Sequence, residues 1–190
     1  LLPWFRGDPW IERFAALIAE QRLVDVKELC ESVEFHARVH RRLRAPVMAD
    51  LCCGHGLTGL LFALLEREVT DVYLIDRRRP ASHDQLLRAL DGMAPWVRPK
   101  IRYLEAPLKT AARALPRGVS VLGIHACGGR TDDCLRLAIA LRGPVALMPC
   151  CYGQTTPEAP RALRTVLGRR LSSDIHRTYR LIEAGYDVEW

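Results

Sequence analysis

The chain has 190 residues, enough to bury one sizeable core, and 49% of them are hydrophobic against 26% charged, as in a globular protein. No apolar run approaches the ~20 residues of a membrane span, and the opening "LLPWFRGDPW" lacks the basic-then-apolar layout of a secretory signal, so a cytoplasmic protein with no membrane partner is expected. The formal net charge is +6, carried by 28 Lys and Arg of which only Lys27, Lys100 and Lys109 are Lys; this suits an anionic partner and equally an Arg-rich codon bias. Seven cysteines, with Cys52-Cys53 and Cys150-Cys151 adjacent, make a poor disulfide framework and fit a reducing compartment.

Residues 1–45 read as helical. Asp8 can cap a first helix with Pro9 at its first position, followed by Trp10, Phe14, Leu17 and Ile18 at helical spacing. A second helix is expected from Val24 to Leu43, ending in the basic run Arg38 to Arg44. From 46 to 190 the pattern alternates. Apolar runs at 47–53, 72–76, 101–106, 119–127 and 144–150 read as strands, with helices near 57–68, 82–93, 107–115 and 131–141 between them. Near-continuous apolar strands are buried on both faces. The expected fold is therefore α/β, a Rossmann-like doubly wound, mostly parallel sheet. A turn-rich loop from 152 leads to a short helix at 159–168 and a longer one capped by Ser172 or Ser173 and stopped at Gly185. "YDVEW" reads as the start of a sixth strand. A terminal strand hairpin would extend past Trp190, so either the sequence is truncated or the last strand is absent.

"DLCCGHGLTG" carries Gly54, Gly56 and Gly59 at the spacing of a nucleotide-binding turn. Asp76, at the end of the second strand, is placed to accept both hydroxyls of a ribose, with Arg77 beside it. The turn alone suits a dinucleotide or S-adenosylmethionine. Asp50, inside the first strand, would repel a pyrophosphate but not a sulfonium or an ammonium. Glu105 and Ala106 end the third strand where an adenine edge would lie. "HAC" ends the fourth with a polar group over the reacting atoms. These details favour S-adenosylmethionine, bound by Asp50, Cys52, Gly54, His55, Gly56, Asp76, Arg77, Glu105, Ala106 and His125.

"DLCCGHG" resembles the first motif of class I methyltransferases, with Cys52 where the first glycine is usual. "LIDRRR", "HACGGRTDDCLRLA" and "MPCCYG" resemble the methyltransferase domain of the eukaryotic acceptor-arm tRNA 2'-O-methyltransferases, and that of proteins with a glutathione-transferase-like C-terminal segment. The resemblance covers about residues 47–152. It implies a methyltransferase acting on RNA, tRNA favoured.

The ends of strands one, four and five should lie side by side. His125 is the best general base if a hydroxyl is the acceptor, with Asp132 or Asp133 to orient it. Cys127, Cys150 and Tyr152 complete the candidate catalytic set, with Cys150 a weaker candidate nucleophile. Thiols that merely line the pocket are the favoured reading of the cysteines. No C-x-x-C spacing occurs and adjacent cysteines seldom share an ion, so no metal is expected. Basic clusters at 38–44, 77–79 and 161–180 (Arg161, Arg164, Arg169, Arg170, Arg177, Arg180) are the expected RNA contacts. A small-molecule or protein methyltransferase, or a non-catalytic scaffold binding the same cofactor, is the alternative.

Overall fold

The computed structural model describes residues 9–153 and 159–190. At its centre lie five strands, β1 (Val47–Leu51), β2 (Asp71–Asp76), β3 (Ile101–Glu105), β4 (Ser120–Ile124) and β5 (Val145–Met148). They are all parallel, in the order β3-β2-β1-β4-β5. Two helices precede them, α1 (Pro9–Glu20) and α2 (Val26–Val39). The crossovers are α3 (Leu57–Leu65), α4 (Ala81–Met93), the short α5 (Leu108–Ala111) and α6 (Gly129–Leu141); α7 (Arg161–Glu183) follows the last strand. This is the expected doubly wound α/β sheet, and its order turns back between β1 and β4, where such folds bind ligands.

The apolar runs explain the layers. Every residue of β4 is buried, as a central parallel strand requires. Side chains of β1 alternate between two cores. Met48 joins Phe14, Ile18, Leu29, Phe35, Leu60 and Phe62 beneath the N-terminal helices, α3 and α4. Ala49 and Leu51 join Val121, Leu137 and Ala138 on the opposite face. Gly59 lets α3 sit close on β2: a Cβ there would lie 2.4 Å from Leu74 Cδ2 and 3.1 Å from Val72 Cγ1.

The helix boundaries differ from expectation in ways with physical causes. The expected cap of α1, Asp8, lies outside the described residues. Helix α2 is capped by Asp25, whose carboxylate accepts from the Lys27 amide at 2.7 Å, and it ends at Val39 rather than Leu43. Leu43 instead drops into the core, its carbonyl accepting from Ser120 Oγ at 3.1 Å. In α7 the break falls at Gly168 (φ 70°, ψ 174°), and Ser172 and Ser173 are no cap. Both are buried, their hydroxyls bonding back to carbonyls of Gly168 and Arg169. The expected sixth strand is not formed. Residues 186–190 turn back along α6 and α7: the Tyr186 hydroxyl lies within hydrogen-bond distance of the carbonyls of Ala138 and Gly143 and shares its one proton between them, and Trp190 Nε1 donates to Thr178. No helix among the described residues is long and apolar enough to cross a membrane.

Candidate functional site

The carboxyl ends of β1, β2, β4 and β5 open on one edge of the sheet, and the glycine turn stands at its centre. Cys52 (φ 57°) takes the left-handed conformation that glycine adopts freely, at a cost of about 1–2 kcal/mol. Gly54 (φ 55°) follows it with open space where a Cβ would be, so a ligand can approach the backbone closely. Two carboxylates brace the turn. Asp76 accepts from the Gly54 amide at 3.0 Å through Oδ2 and from the Arg77 amide at 2.6 Å through Oδ1. Asp50 accepts from the Gly59 amide at 2.9 Å in the first turn of α3. Tyr103 Oη, from β3, donates to the Gly54 carbonyl at 2.6 Å.

Asp50 corrects one step of the sequence reading. It is 3% exposed, and burial pushes its pKa up to about 7, with the Gly59 amide opposing. Its charge is thus incomplete at neutral pH and is turned inward to a helix amide. Selection against a pyrophosphate by that charge is weakened.

Two histidines rise from this edge and meet two acids from α2. His55 Nε2 lies 3.0 Å from Glu28 Oε1, and His125 Nε2 lies 3.0 Å from Glu31 Oε2. Glu28 and Glu31 are one helical turn apart and face the same way. The His55 imidazole holds the Glu28 carboxyl below the usual carboxylate range, against the effect of burial. Both contacts fall within ion-pair distance but off the hydrogen-bond line. His55 Nε2 and Glu31 Oε2 are therefore buried with no hydrogen-bond partner among the described residues. His125 (φ 59°) is a second left-handed residue, and its amide donates to the Met148 carbonyl at 3.4 Å. Strained residues of this kind concentrate at functional sites.

The expected orienting groups for His125 are placed elsewhere. Asp132 is 1% exposed and accepts from Arg177 Nη2 at 2.7 Å and Arg180 Nη1 at 2.8 Å; Asp133 pairs with Arg136. Tyr152 does not point its hydroxyl at the histidines either. It donates to Asp174 on α7 beneath the Arg177 guanidinium, and burial, then Asp174, pushes its pKa up to about 12. The thiols of Cys127 and Cys150 do converge, 2.8 Å apart, with Cys151 Sγ 3.5 Å from Cys150.

The cofactor candidates at the far side of the edge are partly committed. Glu105 Oε2 accepts from the Arg79 amide at 3.1 Å, and the Ala106 amide is spent on the Asp76 carbonyl. Glu28, Glu31, Tyr103 and the fully buried His83, whose Nδ1 bonds the His55 carbonyl at 2.9 Å, escape sequence reasoning. Only the i, i+3 spacing of the two acids hints at a shared face.

The basic clusters do not share one surface. Arg77 and Arg78 are exposed where β2 ends and Arg130 at the start of α6, and the exposed Arg170 of α7 acts on Cys151 and Tyr152 at the same edge. Arg38 to Arg44 lie at the opposite edge, where Leu43 meets the first residue of β4. Arg177 is buried in its ion pairs and Arg180 is drawn to Asp132, so both leave the basic set.

A family model described as a methyltransferase domain matches residues 21–158 of the chain. A glutathione S-transferase C-terminal domain-containing protein of Xenopus laevis is 30% identical over 106 residues, which are 56% of this chain and 16% of that protein; the matched chain spans about a sixth of its relative. A solved structure from Klebsiella pneumoniae, assigned as an O-methyltransferase, shows a distant likeness (TM-score 0.49, 16% identity) over 93% of this chain and 77% of that one.

Proposed function

The chain belongs to this methyltransferase-domain family, and from that premise we propose that it transfers a methyl group from S-adenosylmethionine to a hydroxyl of RNA, a tRNA being the favoured acceptor. When bound, S-adenosylmethionine supplies an electrophilic methyl on a sulfonium. The residues present fit such a ligand. The backbone at Gly54 is open to close approach. Each oxygen of Asp76 accepts one amide and retains a lone pair for a ribose hydroxyl. Glu105 keeps one carboxylate oxygen for an adenine amino group.

The observation that carries the reading is the pairing of His125 with Glu31 at the sheet's carboxyl edge. With Nε2 held against Glu31, Nδ1 of His125 is the nitrogen that takes the acceptor's hydroxyl proton. The Glu31 carboxylate then stabilises the imidazolium that forms. Arg77, Arg78, Arg130 and Arg170 are exposed at the same edge and suit a phosphate backbone.

Calorimetric titration with S-adenosylmethionine and its demethylated product tests the first part. Heat of binding is expected from the native chain and none from Asp76→Ala; no heat from either sinks the reading. Labelled methyl donor, incubated with RNA and separately with a metabolite and protein extract, tests the second. Label in RNA is expected. Label only in small molecules or protein overturns the RNA assignment and leaves the methyltransferase intact.

A further inference from the structure

Cys127, Cys150 and Cys151 stand outside the proton transfer just described. Their three sulfurs lie within 4.8 Å of one another. We propose that these thiols bind one thiophilic divalent cation of the zinc class, with a fourth position open to the adjoining cleft.

Three thiolates around a tetrahedral zinc, each bonded at about 2.3 Å, stand about 3.8 Å apart. The sulfurs here are 2.8 Å apart for Cys127 and Cys150 and 3.5 Å apart for Cys150 and Cys151. Adjustments of about 1 Å or less suffice, and Cys150 and Cys151 are exposed enough to make them. The objection from adjacency fails for a structural reason. Residues 149–153 follow β5 without strand pleating, so neighbouring side chains are not forced to opposite faces. The third thiol arrives from the loop after β4. The two segments are tied together, the Gly128 amide donating to the Cys151 carbonyl at 3.3 Å and the His125 amide to the Met148 carbonyl at 3.4 Å.

The surroundings favour an open metal site. Cys127 and Cys151 line one wall of a cleft formed with Gly128, Gly129, Arg130 and Asp133. Three protein ligands and one free position is the arrangement of reactive zinc rather than of a closed structural finger. Three thiolates on a dication leave a net charge of −1, which Arg130 at the cleft offsets. Binding releases the thiol protons to solvent.

Cobalt(II) added to the full reduced chain reads the site directly. One equivalent is expected to give a thiolate-to-cobalt charge-transfer band with the intense visible bands of four-coordination, and zinc(II) should bleach both. Cys127→Ser, Cys150→Ser and Cys151→Ser should each lower that charge-transfer intensity by about a third. Each should also weaken binding by more than the roughly 10–100-fold that an outer partner is worth. No charge-transfer band in the native chain overturns the proposal. So does a spectrum without thiolate character that vanishes in His36→Ala, because His36, His40 and Glu66 form the other cluster of ligand atoms among the described residues. Heat from S-adenosylmethionine measured on the same metal-free protein separates the two readings: heat without the cobalt band sinks only the metal site.

Discussion

Glu31 Oε2 lies 3.0 Å from His125 Nε2, joining a helix that precedes the sheet to the loop that leaves β4. The other oxygen of Glu31 holds Lys27 Nζ at 2.9 Å, so the carboxylate is fixed from both sides. On the proposed chemistry, Glu31 positions and His125 acts. His125→Ala should lower kcat by about 10²–10⁴-fold, the usual worth of a general base. Glu31→Gln keeps the shape but not the charge, and a fall of about 10–100-fold in kcat is expected with KM for the methyl acceptor little changed. Steady-state kinetics decide. Equal losses in kcat for Glu31→Gln and for a variant of exposed Glu34 would remove the special role of Glu31.

Asp50 makes stability depend on pH. Its folded pKa is about 7 against 3.8 for an ordinary aspartate, so the unfolded chain gives up this proton first. The group's contribution is whole below about pH 4 and is lost as pH rises through about 7, a change of about 4 kcal/mol. Asp50→Asn keeps an oxygen for the Gly59 amide and should flatten that slope. Urea unfolding of both proteins between pH 4 and 8 measures it. Parallel curves would show that Asp50 is ionised throughout.

The clamp beneath the cysteine loops is buried and charged. Asp132 takes Arg177 and Arg180, and Arg177 also reaches Asp174 at 3.0 Å and the Gly128 carbonyl at 3.3 Å. Removing Asp132 leaves the buried Arg177 with only Asp174 and the Gly128 carbonyl, and breaking a buried pair of this kind costs about 3–5 kcal/mol. Asp132→Ala should show that loss in chemical denaturation. Arg180→Ala, at the more exposed end, should cost less because Arg177 still holds Asp132.

The division of basic residues between two edges gives an unequal expectation for RNA. Substituting Arg77 and Arg78 together should weaken tRNA binding and reduce the dependence of log K on log salt by about 1 for each phosphate that is no longer neutralised. Substituting Arg41 and Arg44, at the far edge, should leave both unchanged. Filter-binding titrations across salt concentrations read the slopes. An equal effect at both edges would refute a surface confined to the carboxyl edge.

The five strands were legible because strands buried on both faces must be written as apolar runs, and "VMADL" and "SVLGI" can be little else. The glycine turn was legible for a similar reason: Gly59 and the left-handed Gly54 and Gly56 leave little choice of residue. The partners of His55 and His125 were not. Glu28 and Glu31 read as the wet side of an amphipathic helix, and only packing reveals that this side meets the sheet edge. The true partners of Asp132 were not legible either. Close to His125 in sequence, it resembles an orienting acid, whereas the fold gives it to Arg177 and Arg180 of α7, some 45 residues on. "YDVEW" has the local alternation of a strand, yet Tyr186 and Trp190 find better partners on helices α6 and α7.

Helix α2 carries a consequence for where the working unit begins. Its two acids stand within 3.0 Å of the two histidines, and its Ser32 accepts from Thr58 on α3 at 3.2 Å. A cut placed at the first strand would spare the sheet and remove the rear wall of its reaction chamber. The smallest fragment worth assaying therefore starts ahead of Asp25, the residue that caps this helix.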